Sequence, residues 1–333
     1  MAKDGLGSIK AKEYRLKYGP EMPTAKLARI LYNDNKLLFR DTEHARTLLR
    51  YIEGKSGRKD RKKVIGTPFF KEGERPKNPY LLPDSDEESF EPYFIKGHKR
   101  GLIINDIHLP YQNNEAITAC FNHAKKKKPD FIFVNGDLLD FHSLSYFQKD
   151  PRKKRFSEEL DMAKTFFQIL AKTFNCKIYF KFGNHEDRYD SFLYQKAHEL
   201  KGVEEFELES IIHARAEGIT IIKDKRIVDI NGLPFIHGHE FGRSFFSPVN
   251  AARGLFLQAK HSAVKGDCHT TSEHTEPNIN GKIMTTYSVG ALCGLTPRWL
   301  PLNKWNHGFA EIELDGRDKY FFRNYRIYKG TVL

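Results

Sequence analysis

Three short apolar runs in the middle of the chain most constrain its fold: Gly101-Leu102-Ile103-Ile104-Asn105, Phe131-Ile132-Phe133-Val134 and Ile178-Tyr179-Phe180. Runs of this length, rich in β-branched and aromatic residues, read as buried strands. The first delivers Asp106-Ile107-His108, the second Asn135-Gly136-Asp137-Leu138-Leu139-Asp140, and the third Gly183-Asn184-His185-Glu186. Helical patterns over about 114–127 and 157–173 separate them. Strand, polar cluster and helix in series predict βαβ units, with a site at the carboxyl ends of the strands.

Downstream, short strands are expected over 219–222, 226–230 and 233–236, and the last delivers His237-Gly238-His239-Glu240. A helix over 248–260 leads to Ala263-Val264-Lys265 and then Gly266-Asp267-Cys268-His269. Closing strands are expected over 284–289, 308–314 and 320–328, with no internal repeat. The strand ends together supply Asp106, His108, Asp137, Asn184, His237, Asp267 and His269. Oxygen and nitrogen donors without a thiolate suit Mn, Fe, Zn or Mg. The set is too large for one ion, so two divalent metal ions about 3.5–4 Å apart are expected, with a carboxylate such as Asp137 between them. Such a pair polarises a phosphoryl oxygen and generates hydroxide for in-line attack. His185, held off the ions, is placed to protonate the leaving oxygen. A lone Asp or His at a strand end is more often a cap or a satisfied polar group, so the succession carries the inference.

The set Asp106-x-His108, Gly136-Asp137-x-x-Asp140, Gly183-Asn184-His185-Glu186, His237-Gly238-His239 and Gly266-x-x-His269 resembles the calcineurin-like metallophosphoesterase superfamily over about residues 98–316. The resemblance implies an α/β fold, a four-layer αββα sandwich. It places Asp106, His108 and His269 with Asp137 on one ion, and Asn184, His237 and residue 267 with Asp137 on the other. It makes His185 the leaving-group acid and Asp140 the carboxylate that orients it. Glu186 receives no role. The last motif departs from the family's Gly-His-x-His, having Asp267 where that pattern has His. Either Asp267 ligates, with a harder metal preference favouring Mn or Mg, or His261 or His274 takes its place. The Arg-Gly of protein phosphatases is also missing after Asp140, and His142 stands near that place, which argues against a phosphoprotein substrate. Residues 247–254 and 303–309 resemble, more loosely, phage-encoded members, which implies a bacterial cytoplasm. Arg243, Arg253, Lys304 and His307 are then expected at the substrate phosphate.

Charge divides the chain. Residues 1–80 hold 20 Lys and Arg against 10 Asp and Glu, so +10 of the total +12 lies there. An anionic partner is expected for that end, although a solvated basic segment has the same composition. Residues 1–19 read as a frayed helix or arm. Helices are expected from Thr24, as N-cap, and from Asp41-Thr42-Glu43, the second carrying Arg46 and Arg50 opposite an apolar face. The pair resembles a helix-turn-helix, and Arg58 and Lys59 extend its basic surface. The expected organisation is a basic helical module (1–65), a Pro-rich and acidic linker (66–97) and a metallophosphoesterase domain (98–333). No apolar run is long enough for a membrane span, no leader pattern is present, and the four scattered cysteines suit a reducing compartment. The leading expectation is a two-metal phosphodiesterase or nuclease acting on DNA, cytoplasmic and with homo-oligomerisation open. A phosphatase or cyclic-nucleotide phosphodiesterase, and a DNA-binding protein with a degenerate metal site, are the alternatives.

Overall fold

The computed structural model describes residues 6–19, 22–53, 83, 90–145, 155–214, 216–242, 250–315 and 319–333. The chain divides into two compact units, Met1–Glu88 and Ser89–Leu333. Among the described residues no helix is long and apolar enough to cross a membrane.

The first unit packs three helices, α1 (Leu6–Tyr18), α2 (Thr24–Asp34) and α3 (Thr42–Ile52). Ala11, Leu27, Ala28, Leu31, Phe39, Ala45 and Leu49 form their core. The expected arm is therefore a packed helix, because Ala11 lies on the buried side of α1. Asp41 caps α3 by accepting from the His44 amide at 2.7 Å. Thr24 does not cap α2. Pro23 holds that position, and the Thr24 hydroxyl instead donates to Glu53 Oε2 at 2.7 Å. Glu53 also pairs with Arg15, so one carboxylate ties α1 and the start of α2 to the end of α3. Residues 35–41 connect α2 to α3, which is longer than the roughly three- to four-residue turn of a helix-turn-helix. Arg46 pairs with Glu43 at 3.3 Å and Arg50 is exposed in the last turn of α3. Arg58 and Lys59 lie outside the described residues, as does most of the expected linker.

The second unit is built on two sheets. The larger contains β2 (Arg100–Ile104), β3 (Phe131–Asn135), β4 (Lys177–Lys181) and β5 (Thr220–Ile222) in parallel, extended by antiparallel β11 (His307–Leu314), β12 (Tyr320–Tyr328) and β13 (Thr331–Val332). Its order is β13-β12-β11-β2-β3-β4-β5. The smaller has the order β1-β6-β7-β8-β10-β9, with β1 (Tyr93–Ile95), β6 (Val228–Ile230), β7 (Leu233–Ile236), β8 (Ala263–Lys265), β9 (Ser272–Pro277) and β10 (Ile283–Ser288). Tyr93–Ile95, in the stretch read as linker, pairs with β6 as an edge strand. The polar run Ser272–Pro277 lacks strand periodicity and becomes a strand by pairing with β10.

Alternation along the strands builds the layers. Leu102, Ile104, Ile132 and Val134 point into a core shared with helices α4 (Asn114–Lys127) and α5 (Phe156–Phe174). Ile103, Phe131 and Phe133 point the other way, into a core shared with Val228, Phe235 and Val264 of the smaller sheet. The far side of that sheet meets α7 (Ala251–Ala259), through Ile236, Ala263, Leu255 and Ala259. The short α6 (Asp187–Lys196) follows β4. The result is the four-layer αββα sandwich, with the carboxyl ends of β2, β3, β4, β7 and β8 delivering side chains to one region.

Candidate metal centre

Each predicted ligand follows a strand directly, and several sit on backbone that favours glycine. Asp106, His108, Asp137, Asp267 and His269 all have φ between +51° and +59°. Non-glycine residues in this region cost roughly 1 kcal/mol or more, and clustering of such residues marks functional sites. Gly136 and Gly183 allow the close approach: a Cβ on the first would collide with the His237 ring and on the second with the Asp137 carboxylate.

Asp137 lies at the middle. Its Oδ2 is 3.2 Å from His237 Nε2, 3.6 Å from His108 Nε2 and 3.8 Å from His185 Nε2. Its Oδ1 accepts from the His185 amide at 3.0 Å. On one side, Asp106 Oδ1 is 3.3 Å from His269 Nε2, which is 3.2 Å from His108 Nε2. On the other, His237 Nε2 is 3.1 Å from Asn184 Oδ1 and 3.9 Å from Asp267 Oδ1. The structure thus brings all seven predicted ligands together around one point. Asp267 stays at the site, 37% exposed at its rim. His274 instead pairs with Glu276 at 2.8 Å, and His261 bonds the Ser262 carbonyl.

The surroundings suit a divalent cation. Asp106 Oδ1 is buried with no hydrogen-bond partner. His237 Nδ1 donates to the Asn135 carbonyl at 2.7 Å, which turns Nε2 toward Asp137; an outer bond of this kind fixes a ligating imidazole. One donor atom each of Asp106, Asp137 and His237 lies within 4.8 Å of the others, as do those of His108, Asp137 and His185. Burial opposes ionisation of Asp106 and Asp137, but the facing imidazoles outweigh it and hold both carboxyls well below their usual range. Burial likewise opposes charge on His108, and its carboxylate neighbours Asp106, Asp140 and Asp137 raise it to about 10. Carboxylates this concentrated call for positive charge, which protons supply when no cation does.

Two residues without a sequence-derived role hold the loops in register. The buried Glu186 carboxylate accepts the amides of Asp137, Leu139 and Gly183 at 2.8–2.9 Å. Burial, and then the charge of Asp137, push it up to about 7. Glu240 accepts the amides of His237 and Gly238 at 2.9 and 2.7 Å and pairs with the fully buried Lys181 at 2.9 Å.

His185 Nδ1 meets the Asp140 carbonyl at 2.8 Å, and the Asp140 carboxylate stands 3.4 Å from both His185 and His108. Arg188, not singled out in the sequence, donates to the Asp140 carbonyl at 2.6 Å and to His185 Nε2 at 2.9 Å. A guanidinium has only donors, so Nε2 is the acceptor and the His185 proton sits on Nδ1. The signal for Arg188 was its spacing, one helical step past His185 at the start of α6. Cys293 was also missed. Its sulfur is 4.0 Å from His269 Nδ1, and burial pushes the thiol far above its usual range. Of the expected phosphate contacts, His307 bonds the Cys293 carbonyl at 2.9 Å instead. Arg253 is exposed on the first turn of α7, Lys304 is exposed, and Arg243 lies outside the described residues.

Residues 100–291 match the family model of the calcineurin-like phosphoesterases. The gene 54 protein of Mycobacterium phage L5 is 23% identical over 233 residues, covering 66% of this chain and 90% of that protein. The gene 54 protein of Mycobacterium phage D29 is 24% identical over 232 residues, with 66% and 90% covered. Among solved structures, vacuolar protein sorting 29 from Cryptosporidium parvum aligns with a TM-score of 0.40 at 14% identity, over 71% of this chain and 95% of that one. With its family model matched over residues 100–291, the chain belongs to the calcineurin-like phosphoesterase family of hydrolases.

Proposed function

We propose that the chain is a two-metal phosphodiesterase that cleaves nucleic acid, with DNA held by its basic N-terminal unit. The observation that carries this reading is the convergence of six oxygen- and nitrogen-donor residues around Asp137 in a chain whose first 80 residues carry +10. Asp106, His108 and His269 would hold one cation and Asn184, His237 and Asp267 the other, with Asp137 shared. Divalent cations bound there would polarise the phosphoryl group and activate water. The additional carboxylate at 267 favours Mn over softer ions.

The chain's own residues supply the rest. Asp140 holds the His185 ring through its carbonyl and carboxylate. Arg188 covers His185 Nε2. For His185 to protonate a leaving oxygen, Nε2 must first take up a proton and the guanidinium must turn away from it. Arg188 then becomes available to the phosphate as a bidentate donor. The phage relatives support action in a bacterial cytoplasm during infection.

The test is a panel of plasmid DNA, oligonucleotides, cyclic nucleotides and p-nitrophenyl phosphate, with metal-stripped chain restored by Mn, Mg or Zn. Mn-dependent cleavage of DNA that is lost in His185→Ala is expected. Hydrolysis of the monoester or of cyclic nucleotides with DNA left intact would replace this reading with a phosphatase or nucleotide phosphodiesterase.

A further inference from the structure

The chain has only two tryptophans, and both stand in one loop beside the metal centre. Trp305 packs edge-on against the predicted ligand His269, with ring centroids 4.1 Å apart, and Trp299 packs on Trp305 at 5.7 Å. The aromatic path so formed runs from the centre outward, and its last ring, Trp299, is 72% exposed.

The loop is pinned. The Asn303 amide donates to the carbonyls of Leu295 and Leu300 at 2.7 and 2.9 Å, and its oxygen accepts the Trp305 amide at 2.9 Å. The Asn306 amide donates to the His269 carbonyl at 2.9 Å, and the Asn306 side chain accepts the Thr271 amide at 2.7 Å. Exposure of Trp299 is thus built in, although a ring that size left in water forgoes roughly 2 kcal/mol or more of burial. Arg298 and Lys304, both exposed, flank the rings. Exposed aromatic faces interleaved with cations, beside a site for phosphate, match what a single-stranded nucleic acid offers: flat bases on a charged backbone. A base inside a duplex has both faces covered by its neighbours.

We propose that Trp299, backed by Trp305, is a stacking shelf for an unpaired nucleobase next to the phosphate held at the metal centre. This rests on the reading of the centre as a nucleic-acid phosphodiesterase. Trp299 is a specificity-determining residue here, and it moves no proton.

The full chain is titrated with a single-stranded thymidine oligonucleotide and with an abasic oligonucleotide of equal length, reading intrinsic tryptophan fluorescence. Both tryptophans lie in the loop, so the signal reports on it alone. Cleavage of both strands is then timed in Mn. The base-bearing strand is expected to quench fluorescence and the abasic strand to leave it unchanged. Trp299→Ala should raise KM for the base-bearing strand by roughly 5- to 150-fold, the equivalent of about 1–3 kcal/mol of stacking. It should not alter KM for the abasic strand, and Trp299→Phe should restore most of the loss. Equal quenching by both strands, or wild-type KM in Trp299→Ala, would overturn the shelf. Cleavage of both strands at equal kcat/KM without a quenching difference overturns the shelf and leaves the nuclease reading standing. Base-dependent quenching with neither strand cleaved does the reverse.

Discussion

His237 and Asp137 end strands of different sheets, yet His237 Nε2 lies 3.2 Å from Asp137 Oδ2, so the centre exists only where the two sheets meet. Asp137 faces both ligand sets, with Oδ2 3.6 Å from His108 Nε2 and 3.2 Å from His237 Nε2. Asp137→Ala should therefore lose bound metal from both, and activity should fall by more than the roughly 10- to 100-fold that a supporting residue costs. Metal analysis of the dialysed protein, next to kcat, checks this. Retention of two ions per chain would contradict the shared role.

Variants of His185 and Arg188 test proton transfer apart from binding. His185→Ala should lower kcat by about 10²–10⁴-fold while metal content is unchanged. The loss should shrink for a substrate whose leaving group needs no proton, such as a nitrophenolate. Arg188→Ala should raise KM and shift the pH profile of kcat, because the Nε2 it covers at 2.9 Å becomes open to water. An Arg188→Ala profile superimposable on wild type would remove Arg188 from the site.

Lys181 and Glu240 give the second unit an acid limit. Burial acts to raise the Glu240 carboxyl, but the charge of Lys181 and the imidazoles of His239 and His237 prevail and bring it down to about 2 from an ordinary 4.5. A depressed carboxyl contributes stability that is complete above about pH 4.5 and is lost as pH falls toward about 2. The amount is about 3 kcal/mol at roughly 1.4 kcal/mol per pH unit. In EDTA, Glu240→Gln should be less stable than wild type at pH 7, with the gap closing through that window in denaturant melts. Glu240→Ala, which strands a buried ammonium, should cost about 3–5 kcal/mol, and Lys181→Met beside it should recover much of that. A gap that stays constant with pH would show that the pair does not set the limit.

Arg46 and Arg50 test the N-terminal unit as a DNA grip. If each touches a phosphate, each change to Ala should reduce the slope of log K against log salt by about one, with little sequence dependence. An unchanged slope in the double variant would leave that unit with packing or assembly alone.

What the sequence alone determined is the parallel βαβ frame and the polar residues gathered at its strand ends. Short continuous apolar runs mark which residues are strand, and a polar residue placed just after a buried strand has only the sheet edge to occupy. Asp106, His108, Asp137, Asn184, His237, Asp267 and His269 were legible for that reason, and the helix start at Asp41 by its capping side chain. Tertiary structure decided the rest. Glu186 and Glu240 act on amides that are close only after folding, and in sequence each is one more carboxylate near a turn. Strand β9 is polar throughout and carries no apolar signal, so its strand state comes from backbone pairing with β10. Thr24 turned from cap to partner of Glu53 because α3 brings that carboxylate to it. Arg188 over His185, and Trp305 on His269, are contacts of side-chain geometry, which spacing along a chain does not encode. Strand ends are set by local hydrophobic pattern, whereas the groups that orient, clamp and flank them are set by which surfaces the two sheets bring face to face.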